Sequence, residues 1–335
     1  MTIRSYHLDS GAGLASLKVR EHPDPVPGPG QVAVAVRATS LSFRELMILR
    51  GDYVLPVKPD VIPLSDGAGD VVAVGAGVDP RRVGERVMAT LFPSWQDGPF
   101  GLEHLPQRGG SLDGMLTEVA LVEEESLVPI PRHLSYEEAA TLPCAAVTAW
   151  NALTGMGGPH PGQTVVTQGS GGISLFALRF AKALGARVIA TTSGPEKAAR
   201  LLDLGADEVV DYRAVPDWPA GVRELTGGRG AEHVVDVTGQ LERSLRAAAM
   251  AGQVACVGFV SGTAAPVDPR LLFASGATVR PVAVGSRAQF LAMNEVIEAN
   301  GLRPLIDSVF PFGKAHDAYR HYASGRAFGK VVITV

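Results

Sequence analysis

Six short apolar runs, Thr164–Thr167, Arg187–Ala190, Glu208–Asp211, His233–Val237, Gln253–Val257 and Val279–Val284, start 20 to 26 residues apart. That interval holds one strand and one helix, so the stretch reads as alternating β and α elements. The runs are apolar at nearly every position, as parallel strands covered by helices on both faces require. Between the first two, Ile173, Phe176, Ala177, Phe180, Ala181 and Leu184 fall at i, i+3, i+4, i+7, i+8 and i+11, one face of a helix. The spacing predicts an α/β unit built on a doubly wound parallel six-stranded sheet. Pro281 cannot donate to a ladder, which puts the sixth strand at an edge. A second copy of the chain is expected to dock there, near Val279–Val284, as a homodimer.

The chain has 335 residues, more than one such sheet needs, and that length favours two domains. Hydrophobic residues make up 46% and charged residues 19%, the usage of a folded globular protein rather than a disordered one. A net charge of −4 with no block of five like charges leaves no footprint for nucleic acid or an anionic membrane, so a small-molecule partner is expected. No apolar run approaches the ~18 residues of a membrane span, and Met1–Gly13 lacks the apolar centre of a signal peptide. Cys144 and Cys256 lie far apart in apolar stretches, which suits a reducing compartment, and the expected location is cytoplasmic. Residues 1 to about 127 are rich in Pro and Gly, with β-type runs at Gln31–Val36 and Gly69–Val74, and read as an all-β unit. After residue 286, helix-like stretches at Ala288–Glu298 and Lys314–Ala323 alternate with β runs at Leu305–Phe310 and Lys330–Val335. These are too short for a third domain and are expected to complete the first. The predicted division is 1–127 with 286–335, and 128–285.

Gly169, Ser170, Gly171, Gly172, Ile173 and Ser174 stand at the end of the first parallel strand and open the helix after it. Glycines let a backbone turn tightly and approach a pyrophosphate, while the helix amides and dipole favour its negative charge. The competing reading, a tight strand-to-helix turn with no ligand, is weakened by the strand before, the helix after and the repeated βα rhythm. Ser174 holds a position where Gly is commoner, and serine is small enough to keep helix and strand close. Sites for NAD place Asp or Glu at the end of the second strand. Here the chain reads Ala190-Thr191-Thr192-Ser193-Gly194 with no carboxylate, and Lys197 follows four residues after Ser193. Ser193 can donate to a 2′-phosphate and Lys197 can pair with one, so NADP(H) is the expected cofactor. Tyr212, just after the third strand, is a further candidate. Against these stand a solvated surface lysine and an ordinarily packed tyrosine.

The stretches Pro25–Val32, Ile62–Gly75, Gly84–Val87 and Phe328–Val332 resemble the medium-chain dehydrogenase/reductase superfamily over nearly the full length. The resemblance implies a GroES-like catalytic domain made from both chain ends, a Rossmann domain, and a nicotinamide in the cleft between them. Many members carry catalytic zinc, whose ligand positions fall on Ser42, on Ser65-Asp66 and on Cys144. One thiol and one carboxylate do not make the three N/S ligands of such a site. Phe92–Gly114, where a structural zinc lobe would carry four cysteines, has none. No metal is expected.

The sequence is accordingly similar to the zinc-independent branch that includes quinone oxidoreductases and enoyl or alkenal reductases. In that branch Ser193, Lys197 and Tyr212 match positions contacting the 2′-phosphate. Thr238, Gly258, Phe259, Val282, Val284 and Lys330 complete the cofactor contacts the resemblance implies. Ser65–Gly69 and Leu142–Trp150 are most like a bacterial NAD(P)-dependent subgroup often called alcohol dehydrogenases. The cleft is expected to be lined by Ser42, Phe43, Arg44, Tyr53, Asp66 and Thr148, with Phe92 and Trp95 further candidates. Related reductases commonly have Asn at the position of Ser42 and Tyr at that of Phe43. Arg44 either holds a substrate oxygen or pairs with Asp66 or Glu45; Tyr53 either donates a proton to the reduced carbon or forms cleft wall. Cys144 reads as a buried structural thiol rather than a nucleophile. The expected activity is NADPH-dependent, metal-free reduction of a quinone or small α,β-unsaturated carbonyl. The alternatives are an NADP-dependent alcohol dehydrogenase, a specialised biosynthetic reductase, or an NADPH-binding sensor or structural protein with little turnover.

Overall fold

The computed structural model describes residues 2–262 and 266–335. The chain divides into two compact units, residues up to Val147 with Gly285–Val335, and Thr148–Val284.

In Thr148–Val284 six strands lie in the order Glu208–Asp211, Arg187–Thr192, Thr164–Gln168, Ala231–Asp236, Ala248–Cys256, Thr278–Pro281. Every neighbouring pair is parallel. The chain enters mid-sheet, winds to one edge, then returns and winds to the other. Its direction reverses between Thr164–Gln168 and Ala231–Asp236, where an open α/β sheet leaves a crevice at the carboxyl ends of its strands. All five residues of Thr164–Gln168 are buried, as a central parallel strand covered on both faces requires, with Thr164, Thr167 and Gln168 enclosed beside the two valines. Val166, Ile189, Val234 and Val254 form the core with Trp218, Val222 and Leu245 from the covering helices. The edge position expected from Pro281 is found. Glu208–Asp211 keeps its predicted limits and the other strands shift, two of them by more than two residues. Helix Leu241–Ala247 runs straight into its strand, so that strand begins at Ala248 rather than Gln253. The last strand stops at Pro281, and the backbone soon turns into the left-handed region at Val284, φ 44°.

The other unit is built on a seven-stranded sheet in which Ile306–Pro311, Lys330–Thr334, Gln31–Ser40, Asp66–Val74, Arg86–Ala89 and Leu127–Pro129 follow in order, with Val119–Glu123 also paired to Gln31–Ser40. The closing segment does return to it, since Lys330–Thr334 pairs antiparallel with Gln31–Ser40. The first expected boundary, at 127, falls instead at 147. Leu127–Pro129 pairs with Arg86–Ala89, and the wholly buried turn Leu142–Ala146 leads without a break into helix Val147–Thr154. Nor is the first stretch all β, because helix Phe43–Arg50 follows the longest strand. Register brings three strand ends together. Ser40 lies opposite both Asp66 and Val332, and Leu41 N donates to Val331 O at 2.9 Å.

Candidate active site

That convergence sets Asp66, Lys330 and three serines around one point. Asp66 Oδ1 accepts from Ser65 Oγ at 3.0 Å. Its Oδ2 accepts from Ser40 Oγ at 3.0 Å, Lys330 Nζ at 3.1 Å and Ser42 Oγ at 3.4 Å. Lys330 Nζ also donates to Leu41 O at 2.6 Å and Ser42 Oγ at 2.8 Å. Asp66 is 0% exposed and Lys330 2%, so the pair is a buried ion pair whose charges and hydrogen bonds are met internally. The backbone at Leu64, φ 66°, is left-handed, a conformation costing roughly 1–3 kcal/mol in a residue with a side chain. Neighbouring backbone holds it there, for Met115 N donates to Leu64 O at 2.7 Å and a Cβ at Gly114 would meet that oxygen at 2.2 Å.

Two sequence expectations change here. Asp66 lines no accessible surface, because it is sealed under its four donors. Lys330, expected to hold cofactor, directs its three N–H bonds to Leu41, Ser42 and Asp66, so none is left for a phosphate. Arg44 resolves between its alternatives. Its Nη1 donates to Glu45 Oε1 at 2.7 Å, its Nε to the Tyr53 hydroxyl at 3.3 Å, and its Nη2 to Gly109 O at 3.3 Å and to Gln107. Burial opposes the Arg44 charge, yet the Glu45 carboxylate and Tyr53 more than restore it and hold the pKa above its ordinary value. Arg44 is therefore a buttress rather than a substrate anchor. Its guanidinium sits 4.9 Å from the Tyr53 ring centre. Tyr53 is half-buried, and because its oxygen accepts from Arg44, its own proton remains available for another acceptor. Phe92 and Trp95 are buried against Phe100, with ring centres 4.8 Å away in each case, so they serve as core. Burial, then Asp66, pushes the Cys144 thiol up to about 12, so it stays protonated.

In Thr148–Val284 the glycine turn lies as the spacing predicts. Gly169 takes φ 77°, and Gly171 caps helix Gly172–Ala183 with no side-chain bond to the first amides. A Cβ at Gly169 or Gly171 would meet nothing within 4 Å. Amides at an uncapped helix start facing open space are what a pyrophosphate needs. Ser174 Oγ, buried, donates to Gln168 O at 2.6 Å and so ties helix to strand. Ser170 is buried and Ile173 half-buried. Across the reversal point, Asp236 Oδ1 takes Thr238 N, Thr238 Oγ1 and Gly239 N, each at 2.9 Å, while its Oδ2 is buried without a partner among the described residues. Thr238 Oγ1 lies 3.0 Å from Gln168 Oε1, and Gly258 approaches so closely that a Cβ would lie 2.8 Å from Val237 O. Phe259 is exposed, Val282 is buried, and Thr148 is buried on helix Val147–Thr154. The Val284 carbonyl accepts from Asn151 Nδ2 at 2.9 Å.

Ser193 and Lys197 are half-buried, and Tyr212 is exposed. Tyr212 N donates to Thr192 O at 3.0 Å, which sets that tyrosine's backbone beside Ser193, and the Thr192 hydroxyl is buried without a partner among the described residues. Sequence spacing missed Asp211, whose Oδ2 accepts from Gly194 N at 3.0 Å and whose Oδ1 accepts from Arg213 N at 2.9 Å. A carboxylate does reach this loop, from the third strand instead of the second. Only the parallel register Asp211 to Thr192 could have revealed it.

A nicotinamide dinucleotide fits this unit: an uncapped helix start, open space at two glycines, and unmet polar atoms at Asp236 and Thr192. Catalytic zinc does not fit the other. Ser42 and Asp66 are engaged with an ammonium, and the only thiol near them holds its proton. Among the described residues no group of three His, Cys, Asp or Glu could hold a metal ion, and no helix is long and apolar enough to cross a membrane.

A Rossmann sheet with a dinucleotide cradle, joined in one chain to a β unit containing a buried polar centre, defines a pyridine-nucleotide oxidoreductase. Residues 28–132 match the alcohol dehydrogenase GroES-like domain and residues 172–299 the zinc-binding dehydrogenase family. The chain is similar, at 38% identity over all of both chains, to a zinc-type alcohol dehydrogenase-like protein of Schizosaccharomyces pombe. It is 31% identical to a quinone oxidoreductase of Pseudomonas aeruginosa over 95% of each. The crystal structure of an NAD-dependent alcohol dehydrogenase superposes with a TM-score of 0.89 at 32% identity, covering 99% of each chain. The protein belongs to the medium-chain dehydrogenase/reductase superfamily.

Proposed function

We propose that the protein is a metal-independent, NADPH-dependent reductase of quinones or small α,β-unsaturated carbonyl compounds. The observation that carries this reading is the ammonium of Lys330 seated among Ser42 and Asp66, a donor set suited to hydrogen bonding and unsuited to Lewis-acid catalysis. A conjugated acceptor needs no metal, because it spreads incoming charge onto its own oxygen. When bound, NADPH supplies a hydride and becomes NADP+. In the acceptor the new C–H bond forms as the conjugated π pair moves to oxygen, and a proton from water completes the reduction. The protein's part is to align the acceptor and to stabilise that oxygen. NADPH is favoured over NADH by Ser193, Lys197 and Tyr212 at the strand ends, while Asp211 at the same loop is held by the amides of Gly194 and Arg213. The alcohol dehydrogenase names of two similar proteins favour a second reading, oxidation of an alcohol with NADP+.

Purified protein of measured metal content, given NADPH or NADH with quinones, enones, enals and simple aldehydes, separates these. Reduction of conjugated acceptors that survives removal of metal by a chelator is the expected result. Turnover confined to alcohols and aldehydes would replace it with the second reading, and dependence on zinc would overturn it. We further propose a homodimer through the open edge of Thr278–Pro281, where Phe273 on the preceding helix is 90% exposed. Sedimentation velocity should find twice the chain mass, and a monomer would remove this proposal.

A further inference from the structure

We propose that Lys330 is a positioning residue that acts through Ser42, whose hydroxyl donates the hydrogen bond to the substrate oxygen as charge develops there. This rests on the reductase reading above.

Lys330 cannot make that contact itself, since its three N–H bonds are taken by Leu41 O, Ser42 Oγ and Asp66 Oδ2. Of the group, Ser40, Ser65 and Asp66 are 0% exposed, Lys330 2%, and Ser42 7%, which makes Ser42 the outlet of a sealed charge pair. Its proton is also the least committed to the carboxylate: Ser40 and Ser65 each donate to Asp66 at 3.0 Å, while Ser42 reaches it only at 3.4 Å and otherwise hydrogen-bonds the Cys144 thiol, a weak acceptor that a substrate oxygen can displace. A second observation points the same way. Ser42 is the N-cap of helix Phe43–Arg50, a position where serine ordinarily accepts from the first-turn amides, yet its side chain makes no capping bond. The hydroxyl oxygen has been diverted to Lys330 Nζ at 2.8 Å. Accepting from a cation polarises an O–H and makes it a stronger donor, and the fixed ammonium keeps one lone pair occupied so that the proton points elsewhere. Asp66 keeps the charge sum at zero, so the donor is strengthened without adding net charge to the interior. The proton stays on Ser42 throughout.

The test is a double-mutant cycle on kcat for an enone with NADPH, using S42A, K330M and S42A/K330M. Loss of a donor to a developing oxyanion costs on the order of 100-fold, so each single variant should fall by tens to ~100-fold. The double variant should fall no further than the worse single one, because Lys330 has nothing to act through once Ser42 is gone. Lys330→Arg should recover part of the loss, and binding of NADPH, read by fluorescence, should not change in any of them. Multiplying losses in the double variant, or loss of NADPH binding in K330M, would overturn the proposal. If K330M does not fold, D66N/K330M removes both charges, and S42A in that background should cost much less than in the wild type; an equal cost would overturn it. Failure of the reductase reading looks different, because then the wild-type protein itself reduces no conjugated acceptor.

Discussion

The two candidate sites are built from opposite materials. The turn at Gly169–Ile173 is made of backbone: amides at a helix start, a left-handed glycine, and empty space where a side chain would be. The centre at Asp66 is made of side chains, buried and hydrogen-bonded to one another before any ligand arrives. A site that must admit an anionic cofactor leaves its donors unmet, so that binding supplies the missing partner. A site that must steady a transient charge has its donors aligned and desolvated in advance, so that little reorganises when the charge appears. The first should therefore tolerate substitution in folding and fail in binding, whereas the second should fail in folding first.

The largest effect that would break this contrast is on stability. Asp66→Ala leaves the Lys330 ammonium buried without its counter-charge, and breaking such a pair costs roughly 3–5 kcal/mol. Urea denaturation should show a loss of that order, with much of it recovered in D66N/K330M. A loss below ~1 kcal/mol would mean that water replaces Asp66 and that the centre is not sealed. Next comes the cradle. Gly171→Asp adds a side chain where none lies within 4 Å, so the fold should stand, yet its carboxylate faces the place of the pyrophosphate. NADPH and NADH should both weaken by at least ~10-fold, because the added carboxylate repels the like-charged pyrophosphate and competes with it for the helix-start amides. Equal binding by the variant would move the cofactor elsewhere. Lys197→Ala sharpens the choice of cofactor: NADPH should weaken by about tenfold and NADH hardly at all, the difference a charge-assisted contact makes. Equal losses would remove the phosphate role.

How far each region could be read in sequence follows from the same difference. The cradle is local: Gly169, Gly171 and Ser174 lie within six residues, and the strand and helix that confirm them adjoin. Pro281 marked its strand as an edge for a reason that needs no tertiary knowledge. The buried centre depends on contacts that span 264 residues between Lys330 and Asp66, and 26 between Ser40 and Asp66. Nothing local to Phe328-Gly329-Lys330 says that its ammonium will be enclosed, and family likeness pointed it toward the cofactor. Arg44 was legible only as a pair of alternatives, because its partners Gln107 and Gly109 come from a stretch with no periodic signal. Asp211 escaped notice because the parallel register, rather than the residue count along the second strand, delivers it to Gly194.

The smallest expected effect tests the sealing from the alkaline side. Cys144 lies beside the buried centre, and burial together with Asp66 raises its thiol from an ordinary 9.0 to about 12. The folded protein thus holds this proton more tightly than the unfolded chain does. By linkage, the stability it contributes is whole below pH 9 and is lost as pH rises from about 9 to about 12. Cys144→Ser removes that titration, so its denaturation midpoint should fall less steeply than that of the wild type over the same range, even if the variant starts slightly lower. The protonated thiol should also resist iodoacetamide at pH 8 until the chain unfolds, since only the thiolate attacks. Rapid alkylation of the native protein at Cys144 would show that solvent reaches the centre, and the contrast between an open cradle and a sealed charge pair would then fail at its more informative end.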